Sequence, residues 1–323
     1  MKAIRVHKTG GPEVLIAEDI TLPPPGPHDV CVRHEAIGVN FIDTYLRSGL
    51  YPMTLPAILG REGAGVVESV GEKVHTVKPG DRVAYAMEDT GSYAERVNIQ
   101  ADRLVHVPKG ISSELAAASV MKGMTAHMLL LRAHKVKRGE TILIHAAAGG
   151  VGSIMVQWAK HLGAHVIGTA GSEEKMAFAK SLGCDHVLNA RTDDIAGRVR
   201  EITNGEKLPV VYDSVGRDTF EASLNCLAPR GLLVLYGGAS GPIPPIDPLI
   251  LMRKGSLFLT RLSLGHYIST RAELQEAADA AFSVMESGAV KVSIGQRFAL
   301  TDARAAHEAL ESRATKGATI LIP

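Results

Sequence analysis

The pattern of apolar and polar positions changes character near Ser112. Before it, short apolar runs alternate with turn residues. Lys2–Val6 alternates with period two, PPPGPHD at 23–29 is a proline-rich connection, and Val30–Ala36 follows as a strand. In VKPGDRV, at 77–83, Pro-Gly-Asp sits between two strand-like runs, where turn chemistry belongs. These signals predict a mainly β unit, a partly closed barrel. From Ser112 the pattern turns helical: SSELAAASVMKGMTAHMLLLRA offers Ser112 or Ser113 as a cap, followed by strong helix formers.

Five strand-then-helix units come next, with strands predicted at Thr141–His145, His165–Thr169, His186–Leu188, Val210–Tyr212 and Leu232–Tyr236. Amphipathic stretches such as SEEKMAFAKSLG and DDIAGRVREITNG lie between them. Alternation at this spacing predicts an α/β fold with a parallel sheet covered by helices on both faces. After a second proline-rich passage, GPIPPIDPL, a strand is predicted at Ser256–Thr260, a long helix over Arg271–Ser287 and a short final strand in ATILIP. The β-rich unit has too few strands to close by itself, so the tail is expected to return to it. The expected domains are residues 1–118 with 264–323, and residues 119–263.

Length agrees with two domains at about 150 residues each. The 35 basic and 34 acidic residues leave a formal charge of +1, which gives no support to a nucleic-acid or membrane-surface partner and favours a small molecule. No apolar run reaches the length of a membrane span, and the N-terminus lacks the apolar core of a secretory signal. Three widely spaced cysteines, Cys31, Cys184 and Cys226, read as reduced thiols. The cytoplasm is the expected location.

ILIHAAAGGVG, at 142–152, carries the first candidate chemistry. Ala147, Gly149 and Gly152 give AxGxxG between a strand and the helix VGSIMVQWAKHLG. A small residue permits the turn, the middle glycine admits a pyrophosphate to the backbone, and Gly152 lets helix and strand pack. The helix N-terminus adds partial positive charge. A bare packing turn would explain the glycines equally well, but five successive β/α units favour a dinucleotide. At the end of the second strand GTAGSEEK offers Ala170 and Gly171 where an NAD enzyme would place an acid, then Ser172 and Lys175. That suits a 2′-phosphate, so the expected cofactor is NADPH. Glu173 and Glu174 fit the first turn of the following helix.

NFIDTYLRSGLYP (40–52), LGREGAGVVESVG (59–71), KPGDRVAY (78–85), KGMTAHMLL (122–130), HAAAGGVG (145–152), VVYDSVGRDTF (210–220) and ESRATKGATILIP (311–323) together resemble the zinc-free, ζ-crystallin-like quinone oxidoreductases of the medium-chain dehydrogenase/reductase superfamily. The resemblance covers essentially the whole chain. It implies a discontinuous GroES-like catalytic domain, a Rossmann domain, a homodimer joined along the Rossmann sheet edges, and reduction of small quinones by NADPH. It places Asn40, Tyr45 and Tyr51 near the nicotinamide as catalytic residues and Thr125 at the carboxamide. Gly149, Gly150, Val151 and Gly152 fall at the pyrophosphate, Ser172, Lys175 and Arg313 around the 2′-phosphate, and Gly237 and Gly238 beside the nicotinamide half. Two departures stand out: Ala190 replaces an aromatic residue, with Arg191 beside it, and Leu262 replaces a proline.

In relatives that bind catalytic zinc, Cys and His stand where this chain has Asn40 and Arg61. Of the thirteen histidines only His161 and His165 stand four apart, with Gly163 between them and no third ligand of zinc-site spacing nearby, so no zinc site is expected. Without a Lewis acid the site suits an acceptor that is already electrophilic, a quinone or an enone. Several residues have structural alternatives. Tyr45 and Tyr51 could only pack, Asn40 and Asp43 could cap a helix starting near Phe41, and Arg61 and Glu62 could form a structural ion pair, with Lys122 equally ambiguous. The alternatives for function are NADPH-dependent enone reduction and, less favoured, NADPH binding without catalysis.

Overall fold

Asp29–Val39 is the spine of the first unit, buried along its length except at Arg33, Glu35 and, in part, Asp29. A computed structural model describes residues 1–86 and 89–323, which divide into one unit of residues 1–124, 268–286 and 292–323 and a second of 125–267 and 287–291. The first division falls inside the helix Ser113–His127, a few residues beyond 118, because a continuous helix gives no local signal where its surroundings change.

In the first unit the spine pairs antiparallel with Glu62–Val70 along one edge. Its other edge takes Arg96–Gln100 at residues 29–33 and the C-terminal strand Ala318–Ile322 at residues 37–39. Thr319 lies opposite Val39, so the tail does return to the N-terminal strands. The full sheet runs Ile294–Ala299, Ala318–Ile322, Asp29–Val39, Glu62–Val70, Arg82–Ala86, Val105–His106. A smaller sheet orders Ile16–Asp19, Lys2–Val6 and Ala57–Ile58. Of the two runs flanking Pro-Gly-Asp, only the second is a strand. Val74 and Val77 are buried without sheet pairing, and Asp81 closes the turn by accepting the Lys78 N–H at 3.0 Å.

The second unit is a six-stranded parallel sheet. Its order is His186–Asn189, His165–Ala170, Thr141–Ile144, Leu208–Asp213, Leu227–Leu235, Phe258–Arg261, or 3-2-1-4-5-6 along the chain. This order puts the ends of the first and fourth strands side by side at the switch point where such sheets bind ligands. Val211 and Leu143 pair across it, within a core that includes Ile167, Leu188, Leu233 and Leu235. The last strand starts at Phe258 rather than Ser256, because Gly255 and Ser256 both have positive φ. Leu262 donates its N–H to Leu235 O at 3.0 Å, a bond that proline could not make.

A buried polar seam fixes the helix Phe41–Ser48 in the first unit. Arg47, almost fully buried, donates to Gly10 O, to His307 Nδ1 at 3.1 Å and to both carboxylate oxygens of Glu311. A guanidinium only donates, so Nδ1 is the acceptor and the neutral ring carries its proton on Nε2. Nε2 therefore donates to the Tyr93 hydroxyl at 3.0 Å, and Tyr93 donates to Asp43 Oδ2 at 3.0 Å. Burial, with the Arg47 charge beside it, pushes the His307 ring down to about 3. Burial pushes the Asp43 carboxyl up to about 7, against the hydrogen bonds from Asn40 and Tyr93 and the charges of Arg61 and Lys122. Helix Ala303–Glu311 and helix Phe41–Ser48 are thus tied through groups that, Glu311 apart, have no water to fall back on.

Removing Glu311 leaves the Arg47 charge buried with neutral partners. Glu311→Ala is expected to cost about 2–3 kcal/mol, discounted from the fully buried case because Glu311 is partly exposed. The exposed control Arg304→Ala should cost under about 0.5 kcal/mol by urea denaturation. Asp43 gives a second test. Its raised pKa means the folded chain holds a proton that the unfolded chain has lost between about pH 4 and about pH 7, so its stabilising contribution falls as pH rises through that window. Wild type should lose stability relative to Asp43→Asn over that range, with a limiting slope of about 1.4 kcal/mol per pH unit. The His307 contribution runs the other way, being lost as pH falls below about 6.5, and cancels in the comparison.

Candidate active site

The helix Phe41–Ser48 begins at Asn40 with a capping box, in which the Asp43 carboxylate accepts the Asn40 N–H at 2.8 Å, and ends at Gly49 with φ of 83°. The capping expected of these two residues is present. Tyr45 is buried, and its ring meets that of Tyr51 edge-on with centroids 5.6 Å apart. The Tyr51 N–H donates to Tyr45 O, which holds the two rings at the C-terminal end of one helix.

Asn40 leads to a second buried centre. Its amide Nδ2 donates to Glu62 Oε2 at 2.8 Å, and the Lys122 ammonium donates to the same oxygen at 2.6 Å. Glu62 Oε1 accepts the Met121 N–H at 2.7 Å. The partner of Glu62 is therefore Lys122, not the adjacent Arg61. Successive residues of a strand face opposite ways, so neighbours in sequence make poor partners there. Gly38, in the spine strand, makes the room, because a Cβ on it would collide with the Glu62 carboxylate and with Ala117 O. Among the described residues no group of three or more His, Cys, Asp or Glu side chains could hold a metal ion.

In the second unit Gly149 caps the helix Gly150–His161. A Cβ on Gly152 would collide with Ala146 O and sit 3.0 Å from Ala147 Cα, so only glycine allows this approach of helix to turn. The left-handed residue of the turn is Ala146, φ 51°, one place before the alanine of the aligned motif. The N–H groups of the helix's first turn, including Val151, have no acceptors within the helix, which is what a helix start can offer to an anion. Ser172 caps the helix Glu173–Ser181, accepting the Lys175 N–H at 3.4 Å, so its hydroxyl has a structural task as well. The side chain of Arg191 lies over Gly171, its Nε 3.5 Å from where a Cβ would stand.

Sequence reasoning missed the buried network that shapes this end of the sheet. Asp213 ends the fourth strand, and its Oδ1 accepts the N–H groups of Val215 and Gly216. Its Oδ2 accepts from Thr219 and Ser223, and His145 bridges Ser223 Oγ at 3.0 Å and Thr169 Oγ1 at 3.1 Å. Burial lowers the His145 pKa, and the ring, at the end of the first strand, links Thr169 of the second to Ser223 of the helix Phe220–Cys226 and through Ser223 to Asp213 of the fourth. The available signal was polar residues, His145 and Asp213, closing otherwise apolar strands. Gly237 packs against Ser214 and leaves no space for a Cβ, which brings the loops 213–217 and 236–241 together, Gly238 among them. Thr125 lies on the helix Ser113–His127, and Arg313 follows the helix Ala303–Glu311 with φ of 56°.

Residues 26–109 match the alcohol dehydrogenase GroES-like domain, and residues 150–283 match the zinc-binding dehydrogenase domain. The chain is 53% identical to a quinone oxidoreductase of Salmonella typhimurium, over 99% of both chains, and 45% identical to a 2-haloacrylate reductase of a Burkholderia species, over 98% of both. The crystal structure of Escherichia coli quinone oxidoreductase complexed with NADPH superposes with a TM-score of 0.99, at 50% identity and 100% coverage of each chain. A GroES-like unit, a Rossmann sheet with its glycine turn, and identity of this order along the whole length lead to one conclusion: the chain belongs to the quinone oxidoreductase family of the medium-chain dehydrogenase/reductase superfamily.

Proposed function

We propose that this chain is an NADPH-dependent quinone oxidoreductase that works without zinc. The observation that carries the reading is the glycine turn at the switch point of the 3-2-1-4-5-6 sheet, in a chain about half identical to quinone oxidoreductases over its whole length. The residues fit the cofactor. Gly149, Gly150, Val151 and Gly152 form the cradle, packed on the turn as closely as it is because a Cβ at 152 would collide with Ala146 O, with the helix N-terminus toward the pyrophosphate. Ser172 and Lys175 hold the 2′-phosphate, with no acid at Ala170 or Gly171 to repel it. Thr125, Gly237 and Gly238 border the nicotinamide.

When bound, NADPH supplies a hydride from its nicotinamide ring. Tyr45 and Tyr51 frame the acceptor's ring with their aromatic faces, and Asn40 offers an amide N–H to the acceptor. Zinc independence is supported by the donor set: Asn40 and Arg61 are poor zinc ligands, and the Asn40 amide is already engaged with Glu62. The open edge of the sheet at Phe258–Arg261, with Phe258, Met252 and Leu249 exposed beside it, supports a homodimer joined along that edge. No helix among the described residues is long and apolar enough to cross a membrane. The cytoplasm is the proposed location, small molecules the proposed partners.

A second reading, reduction of an activated carbon–carbon double bond, is favoured by the likeness to the 2-haloacrylate reductase. Both are tested by following the near-ultraviolet absorbance of the nicotinamide with NADPH or NADH, offering a simple benzoquinone or 2-chloroacrylate, with chelator present. The expected result is fast, chelator-resistant oxidation of NADPH by the quinone and much slower oxidation of NADH. Faster turnover of 2-chloroacrylate would transfer the function to the second reading. Lys175→Ala should raise KM for NADPH about tenfold or more, the worth of one hydrogen bond to a charged group, and leave KM for NADH unchanged.

A further inference from the structure

The Lys122 side chain is 4% exposed, and among the described residues its ammonium meets one hydrogen-bond acceptor, Glu62 Oε2. An ammonium carries three N–H donors, so two have no protein acceptor among the described residues. Asn40 Nδ2 spends an N–H on the same oxygen, so the two nitrogens are neighbours across one atom. Glu62 cannot swing away to satisfy either further, because its other oxygen is fixed by the Met121 N–H. Close by, Arg61 Nε is buried with no hydrogen-bond partner among the described residues.

Arg61 and Lys122 both act on Asp43, which puts two positive charges in one neighbourhood with Glu62 and Asp43. Burial favours the neutral form of Asp43, so positive charge is in excess there. Donors buried in this state cost free energy until an acceptor arrives. An oxygen that gains negative charge during a reaction is the acceptor such a centre binds best.

The geometry points to Lys122 as a further catalytic residue: with Asn40 it receives the acceptor's oxygen over the Glu62 carboxylate. This rests on the proposed function. The hydride forms a C–H bond at the quinone ring carbon β to one carbonyl, the ring C=C bond shifts toward that carbonyl, and the carbonyl π pair moves onto oxygen, where the Lys122 and Asn40 N–H groups bind it. Water protonates that oxygen, and passage of a proton from the reduced ring carbon through water to the second carbonyl oxygen completes the hydroquinone, with Lys122 paired to Glu62 throughout. An enone passes through the same charge on oxygen, so the assignment serves either acceptor class.

The competing account is that Lys122 only neutralises Glu62. Removing Lys122 alone would strand a buried carboxylate and endanger the fold. The informative variant is therefore K122M combined with E62Q, which removes both charges and keeps an acceptor for Asn40. It should fold, bind NADPH with unchanged Kd, and lose about a hundredfold or more in kcat/KM for the quinone, as loss of one donor at a developing oxyanion does. K122R alone should recover part of the loss.

Binding of 4-nitrophenol to the NADP⁺-loaded protein gives a readout apart from turnover. In wild type the bound phenol should ionise at lower pH than free phenol, seen as the yellow phenolate band, and in the double variant that shift should vanish. Quinone kcat/KM within about threefold of wild type, with the phenol shift intact in the double variant, overturns the assignment and leaves the proposed function standing. A wild type that reduces neither the quinone nor 2-chloroacrylate with NADPH overturns both.

Discussion

A carboxylate with no access to water must be met by donors on every side, and Glu62 imposes that requirement on the first unit. It accepts from Lys122, from Asn40 and from the Met121 backbone, so one side chain on the second strand of the sheet ties the helix Ser113–His127 to the start of the helix Phe41–Ser48. Gly38 is a consequence, since the neighbouring strand must give up a side chain to admit the carboxylate. Asn40 emerges from this centre only half buried, and Tyr45 and Tyr51 follow on the same helix and its exit.

The other end of that helix is held by the seam from Glu311 through Arg47, His307 and Tyr93 to Asp43, in which the hydrogen bonds from Arg47 to Asp43 Oδ2 have one direction each. The second unit repeats the strategy. Asp213 and His145 gather the ends of adjacent parallel strands and shape the loops where a dinucleotide is received. In both units a rigid sheet positions backbone, and a buried polar network then positions what emerges from it. Such networks are worth more satisfied than the sum of their parts, and each is costly to leave half made.

Those features explain what could be read from the chain. The parallel strands were legible because strands covered on both faces must be apolar throughout, and GGVG after the first of them announced the turn. The final strand was legible as ATILIP, and its return followed from the shortage of strands before it, but its register opposite residues 37–39 has no local signal. Val74–Val77 mimicked a strand because burial without pairing leaves the same apolar pattern. The ionic partners were least legible. Arg61 stands next to Glu62 in sequence, while the true partner lies 60 residues on, on a helix. His307 and Arg47 likewise meet across 260 residues. Serine as a cap was readable, and Ser112 takes that task by accepting the Leu115 N–H, while Ser113 binds Glu35.

What is proposed for this chain is direct hydride transfer from NADPH to the acceptor in a site whose positive charge comes from the chain rather than from a metal. Its most direct test is the primary deuterium isotope effect on quinone reduction, using NADPH deuterated at the transferred position and protein stripped by prolonged dialysis against a strong chelator. The account predicts that the stripped protein keeps full activity and that kcat/KM for the quinone is distinctly lower with the deuterated cofactor. Activity that disappears on stripping and returns with zinc would contradict it.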